Sequence, residues 1–332
     1  MDKYTPRERI GMICAGEKPD RFAASFWRHF FHLENNAEGT AEAMLRFQKK
    51  FNWDFMKVNP RADFHIEDYG FKHTFSTDEF KKHDKTHFPI KKLSDWEKLP
   101  EVTPQSKALE EHLRCVSIIR KKSDSALPVL MTLFNPLGIA GRMIEDKQLL
   151  VEWMREHPDV IHGVLEKITV TFEKYAEELR NAGSDGLFYA TLQWASGDMI
   201  TWDEYKEFGV PYDLRILKAS GSDSLNLLHV CASNNYLREL IKCDYPVSMY
   251  NWEPDDPTNV PLDIGVDLIS DKAIVGGVDM TGWLLQGYPD EIGYKIDEIK
   301  EKFDSSRVII GPGCAIPPEV KYENLEIIRK KL

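Results

Sequence analysis

The chain has 332 residues, with 43 Lys and Arg against 54 Asp and Glu, a formal charge of −11. Hydrophobic residues make up 42% and charged residues 29%, an ordinary globular composition with material for a large core. The acidic balance excludes sequence-independent nucleic-acid binding, which needs clustered Lys and Arg, and the short run Arg120-Lys121-Lys122 reads as a solvated helix end. The five cysteines, at 14, 115, 231, 243 and 314, are odd in number and scattered, so no disulfide framework and a reducing cytoplasm are expected. Residues 1–9 lack the apolar core of an export signal. The most apolar stretch, 127–141, is short and broken by Asn135 and two prolines, so no membrane span is expected.

Strand-like and helix-like runs alternate from end to end. A first strand is predicted at Phe22–Trp27, then a helix near Gly39–Asn52 and a second strand at Asp54–Asn59. A polar, aromatic segment follows to about Pro104, long for a loop, and holds His65, His73, His83 and His87. Next come a helix near Ser106–Lys122, a strand at Pro128–Phe134, helices near Pro136–Arg155 and Pro158–Ala182, and a strand at Gly186–Thr191. The second half repeats the pattern: helix Thr201–Ser220, strand Leu225–Cys231, helix Asn235–Lys242, strand Pro246–Asn251, helix Pro261–Ile269, strand Ala273–Val278, helix Pro289–Phe303, strand Arg307–Pro312, helix Glu319–Lys331. Eight strands, the late ones rich in Val, Ile and Leu without alternation, predict an α/β fold: a single (β/α)8 TIM barrel over residues 1–332, with an N-terminal extension and a long loop, 60–104, after the second strand. The alternative is an open doubly wound sheet, but no Gly-x-Gly-x-x-Gly follows the first strand.

In such a barrel, function sits where strands end. His229 and Cys231 are two apart on the fifth strand and so share a face; Cys314 ends the eighth. One nitrogen and two thiolates suit a tetrahedral zinc with a fourth position open, the pattern of a catalytic site. The competing reading is buried small apolar cysteines and a hydrogen-bonded core histidine. Cys14, Cys115 and Cys243 have no such company.

These residues carry a family likeness. Leu228-His229-Val230-Cys231-Ala232 and Gly313-Cys314-Ala315-Ile316-Pro317-Pro318-Glu319, with Glu323-Asn324, resemble the His-x-Cys and Gly-Cys-x-Ile-Pro segments of the zinc methyltransferase branch of the uroporphyrinogen decarboxylase superfamily. The segment 200–212 is similar to that preceding the superfamily's fifth strand, and Gly276-Gly277-Val278-Asp279 resembles its Gly-x-x-Asp turn. The decarboxylases themselves carry an arginine-rich segment after the first strand and an Asp after the second. Here those places read Trp27-Arg28-His29 and Val58-Asn59-Pro60. The resemblance therefore implies a zinc-dependent, corrinoid-using methyltransferase, similar to the methylcobamide:coenzyme M enzymes, with Zn2+ held by His229, Cys231 and Cys314. The zinc makes a bound thiol a thiolate, which attacks the methyl group on cobalt. In that branch a carboxylate after the sixth strand can fill the resting fourth position. Here Asn251 is the nearest match and Glu253 stands two residues on, so water, Glu253 or the Asn251 oxygen are the choices.

Other strand-end residues are candidates for substrate contact. Trp27, Trp194 and Trp252 suggest an aromatic mouth for a corrinoid face or a methyl donor, with rim packing as the alternative. Arg28, Lys57 and Arg61 suit an anionic group such as a sulfonate or carboxylate, surface ion pairs being the plain alternative. His29 and His65 are acid–base candidates, Asn59 and Asn251 polar contacts, and Asp279 either orients a ligand or caps a helix. The 60–104 loop is expected to act as a lid or as a docking surface. No Asp-x-His-x-x-Gly motif is present, so the corrinoid (methylcobalamin) would arrive in trans, on a corrinoid protein, or free. Two rivals stand beside the methyltransferase: a decarboxylase or lyase on the same fold, and a non-catalytic metal or corrinoid-protein binding module. The acceptor (a thiol or tetrahydrofolate) and the oligomeric state, a homodimer included, stay open.

Overall fold

Runs of β-branched and aromatic residues covered on both faces form parallel strands in this chain. The computed structural model describes residues 2–332 and forms β1 (Met56–Val58), β2 (Lys72–Thr74), β3 (Asp84–His87), β4 (Val129–Phe134), β5 (Gly186–Ala190), β6 (Leu227–Val230), β7 (Met249–Trp252), β8 (Ala273–Val278) and β9 (Val308–Pro312). Seven of them make one parallel sheet in the order β1-β4-β5-β6-β7-β8-β9; β2 and β3 pair antiparallel by themselves. Helices separate the sheet strands.

The eight strands expected from the sequence are met by seven and an irregular segment. Phe22–Trp27 makes a single bridge, Ala24 to Ile310 of β9, with Ser25 N on Ile310 O at 3.0 Å and Ile310 N on Ala23 O at 2.8 Å. On its other side one backbone bond, Asp54 N to Ala24 O at 2.9 Å, is supplemented by side chains: Ser25 Oγ donates to Phe55 O at 2.8 Å and Ala24 N donates to Asp54 Oδ2 at 2.9 Å. The segment thus lies between the two edges of the sheet without a regular register.

An inner cluster gathers side chains from all of these segments, among them Trp27, Phe55, Leu130, Phe188, Leu227, Met249, Val275 and Ile309, and adds Ile10 and Ile13. The last two belong to a helix, Pro6–Cys14, started by a Thr5–Glu8 capping box. Arg9 of that helix is fully buried and bonds Asp54 at 2.7 Å and Asp20 at 2.8 Å. This helix is thereby fixed to the inner cluster.

Two helices expected to be continuous are broken. Residues 136–155 divide into Pro136–Arg142 and Lys147–Glu156, the second started by the Asp146 side chain, and residues 201–220 into Trp202–Phe208 and Val210–Ala219. Pro211 lacks an N–H and crowds the carbonyl a turn earlier, which accounts for the second break. The 60–104 segment is built, not loose. It carries a helical turn at Phe64–Glu67, the β2–β3 hairpin and a 3-10 stretch at Leu93–Lys98. Glu79 ties it to Arg28 at 2.7 Å. Among the described residues no helix is long and apolar enough to cross a membrane.

Candidate active site

The register of β6 on β7 sets His229 opposite Asn251. His229 Nδ1 lies 2.6 Å from Asn251 Oδ1. The same amide donates from Nδ2 to Val275 O at 2.8 Å and Pro312 O at 3.0 Å. Two carbonyls accept only, so they decide which end of the amide is nitrogen. The oxygen facing His229 can then only accept, the imidazole proton sits on Nδ1, and Nε2 carries a bare lone pair. Nε2 is buried and has no hydrogen-bond partner.

Cys231 is the first residue beyond β6, and Cys314 follows β9 by two. The chain turns at once after Cys231: Ala232 and Asn234 hold φ of 72° and 48°, the left-handed region that residues with a Cβ enter reluctantly. Buried Asn259 holds this turn, donating from Nδ2 to Ala232 O and Glu253 O, both at 3.0 Å. It joins the loops that carry Cys231 and Glu253, and nothing in its sequence context singles it out. The two thiols interact. A hydrogen bond from Cys231, with the charge of Lys57 adding to it, pulls the Cys314 thiol well below the usual range. The same bond, with burial, pushes Cys231 up.

Gly313 is glycine because Glu253 occupies the space a side chain would need: an added Cβ would lie 2.5 Å from Glu253 Oε2. That carboxylate oxygen is buried without a partner. Burial first, then the charges of Asp255, Cys314 and Asp279, push the Glu253 carboxyl up to about 7. Asn251, by contrast, has both ends of its amide engaged, so it orients His229 and is not free to act as a ligand.

Lys57 is buried with its ammonium 4.4 Å from the Phe188 ring centroid and 5.6 Å from that of Trp27. Burial lowers its pKa to about 8, against the opposing pull of Cys314, Cys231 and Glu34. Its amine donates to Asn59 Oδ1.

The other expected contacts are engaged elsewhere. Arg28 pairs with Glu79, and Arg61 with Glu67 and Glu111. His29 bonds Glu34 at 2.9 Å and stacks on Phe31. His65 accepts from Phe134 N at 3.1 Å, which makes it a structural bond inside the fold. Trp194 packs flat against Gly141 and Trp252 against Gly265, the latter donating its indole N–H to Val260 O at 2.7 Å. Of the three tryptophans expected at the mouth, Trp27 is the one set beside Lys57. Asp279 accepts from Gly282 N at 2.7 Å, a turn cap ahead of a short helix.

Among the described residues, no three or more His, Cys, Asp or Glu side chains stand as a ready-made metal cage; the thiols hold each other instead. The donor chemistry nevertheless fits a soft divalent ion. It offers one imidazole nitrogen with a bare, buried lone pair, two thiols of which one is readily ionised, and a buried carboxylate oxygen lacking a partner.

The sequence profile of the family described as Uroporphyrinogen decarboxylase (URO-D) matches residues 6–331. A methylcobamide:CoM methyltransferase, MtaA of Methanosarcina barkeri, is 25% identical over 246 residues, 73% of this chain and 69% of that protein. A uroporphyrinogen decarboxylase of Geobacter sp. (strain M21) is 24% identical over 245 residues, 71% of this chain and 68% of that protein. A solved methyltransferase from Methanosarcina mazei superposes with a TM-score of 0.84 at 20% identity, covering 99% of this chain and 98% of the other, which establishes a common fold.

Proposed function

The chain belongs to the uroporphyrinogen decarboxylase family, and within it we propose that it is a zinc-dependent methyltransferase that moves a methyl group between a corrinoid, supplied in trans by a corrinoid protein, and a thiol acceptor. In this reading residues 1–332 are one barrel domain, with 22–27 as its eighth stave. His229, Cys231 and Cys314 hold the zinc, and Glu253 is the residue placed to complete or vacate the fourth position. Bound there, Zn2+ supplies the Lewis acid that keeps an incoming thiol deprotonated at neutral pH.

The protein's own residues do the rest. Asn251 holds the His229 proton on Nδ1 and keeps Nε2 free. Asn259 fixes the loops bearing Cys231 and Glu253 against each other. The Glu253 carboxyl, pushed up to about 7, can take the proton that the thiol gives up. The observation that carries the reading is the buried Nε2 of His229, without a hydrogen-bond partner, beside the interacting thiols of Cys231 and Cys314. The methyltransferase names among the relatives support it.

A decarboxylase also stands among the relatives. Against that reading, Arg28 and Arg61 are both paired with carboxylates, which leaves neither arginine to hold the acidic groups of a porphyrinogen. The test follows loss of methyl–cobalt absorbance from methylcobalamin against a panel of thiols and tetrahydrofolate, with metal content measured in parallel. Zinc and thiol-dependent turnover are expected together. Turnover with tetrahydrofolate alone moves the acceptor; zinc without any turnover points to a binding module; decarboxylation without metal or corrinoid overturns the reading.

A further inference from the structure

The long helix Pro158–Asn181 buries Val164, Ile168 and Thr171, spaced four and three apart and so on one face. Opposite that face runs the stretch 96–105. Leu99 and Thr103 each precede a proline, Pro100 and Pro104, which disfavours helix at both places and removes two N–H donors. Leu99 is accordingly extended, at φ −60° and ψ 136°. Among the described residues one hydrogen bond fastens the stretch to the helix, Thr171 Oγ1 to Val102 O at 3.0 Å. The two elements otherwise stand apart and leave a cavity of about 530 Å3, walled by Tyr69, Trp96, Leu99, Val102, Val164 and Ile168. Its lining shares no residue with the His229, Cys231 and Cys314 cluster.

That volume falls in the range of small-molecule sites, roughly 300–1,000 Å3. The walls are apolar, so an occupant gains by burying an apolar body between them. The polar groups call for an acceptor. Trp96 is 3% exposed and its indole N–H is buried without a partner, whereas buried donors in native folds are nearly always met. Lys167 and Lys174 stand on the cavity's lip, both exposed, on the same helix face as Val164 and Thr171. Among the described residues neither forms an ion pair. The carboxylates beside them in sequence, Glu166 and Glu173, are held by Arg215 at 2.5 and 2.8 Å. Against the two lysines the lining sets one carboxylate outside any ion pair, that of Glu101.

We propose that this cavity binds a small amphipathic anion, a carboxylate with an apolar body of a size between hexanoate and decanoate. The body lies against Trp96, Val102 and Ile168, and the head meets Lys167 and Lys174. The site stands apart from the methyltransferase reading and holds whichever chemistry the strand ends perform.

The test is isothermal titration of the purified protein with hexanoate, heptanoate and octanoate, each below its aggregation concentration. Affinity is expected to rise about fourfold per added methylene. Octylammonium, of the same length and opposite charge, is expected to bind about fivefold more weakly than octanoate, as two exposed charge contacts allow. Lys167→Gln combined with Lys174→Gln changes exposed positions alone; it is expected to erase that fivefold preference and leave the thermal midpoint in place. Val170 lines the cavity and is 38% exposed, so Val170→Trp fills the space from the solvent side and is expected to abolish octanoate binding. Octanoate taken up at the strand ends instead survives Val170→Trp, and that result overturns the site. So does the absence of saturable binding, an affinity indifferent to chain length, or octylammonium binding as tightly as octanoate. None of these readouts uses metal or corrinoid, so their failure leaves the methyltransferase reading where it stands.

Discussion

Asn251 has no atom to spare for a ligand, yet its three hydrogen bonds decide which imidazole nitrogen of His229 is bare. An outer partner of this kind is worth about 10–100-fold in metal affinity. Asn251→Leu is therefore expected to weaken zinc binding by about that factor in a competition with a chelating dye; unchanged affinity would show that the amide does not set the tautomer. The sequence pointed to the position, since the register of the family likeness ends there, but offered it as a ligand. A one-dimensional string does not reveal that Val275 O and Pro312 O, 24 and 61 residues away, would take the nitrogen end of the amide. Arg28, Arg61, Trp194 and Trp252 were legible as strand-end residues in the same way. Their partners Glu79, Glu111, Gly141 and Gly265 come from distant segments, and it is these partners that settle their roles.

At the scale of elements, the helices around the sheet are held by contacts with narrow tolerances. The helix Pro136–Arg142 lies so close to Trp194 that a Cβ on Gly141 would sit 2.3 Å from the indole. Gly141→Ala is expected to cost ~1–3 kcal/mol, read as a lowered thermal midpoint; an unchanged midpoint would mean that Trp194 is free to swing. The helix Val210–Ala219 is fastened by Asp213, fully buried and bonded by Tyr189 at 2.9 Å, Tyr205 at 2.7 Å and Tyr245 at 2.8 Å. Burial outweighs those three bonds and pushes its carboxyl up to about 6, from 3.8. The native state thus holds a proton that the unfolded chain has released, so stability is greatest below about 4 and falls as pH rises to about 6. Between pH 4 and 7 wild type should lose roughly 2 kcal/mol relative to Asp213→Asn, measured as the difference between their urea unfolding free energies. A pH-independent difference would contradict the raised pKa. None of this network was visible in the sequence, because hydrophobic periodicity reports a helix's buried face and says nothing about which polar groups meet there.

Across the whole molecule, seven strands formed where alternating turn signals and β-branched runs placed them, because buried parallel strands leave a strong local signature. The exception, Phe22–Trp27, depends on Asp54 and Ile310 for its bonds, and no local pattern reports that. Asp54 also receives Arg9 at 2.7 Å and Arg21 at 2.8 Å, so one carboxylate joins the N-terminal helix, this segment and the approach to β1. Asp54→Ala strands a buried guanidinium and is expected to cost about 3–5 kcal/mol in urea unfolding; a change under ~1 kcal/mol would mean that the clamp is not holding the sheet's edges together. The site itself rests on other segments: His229 on β6 and Cys231 just after it converge with Cys314, two residues past β9. The most direct measurement of that convergence is the zinc X-ray absorption fine structure of the purified protein. The account predicts two sulfur scatterers at ~2.3 Å and one imidazole, a third sulfur on addition of a thiol substrate, and loss of one sulfur in Cys231→Ala and in Cys314→Ala. A bound zinc with no sulfur neighbours, or the same spectrum in both variants, would contradict it.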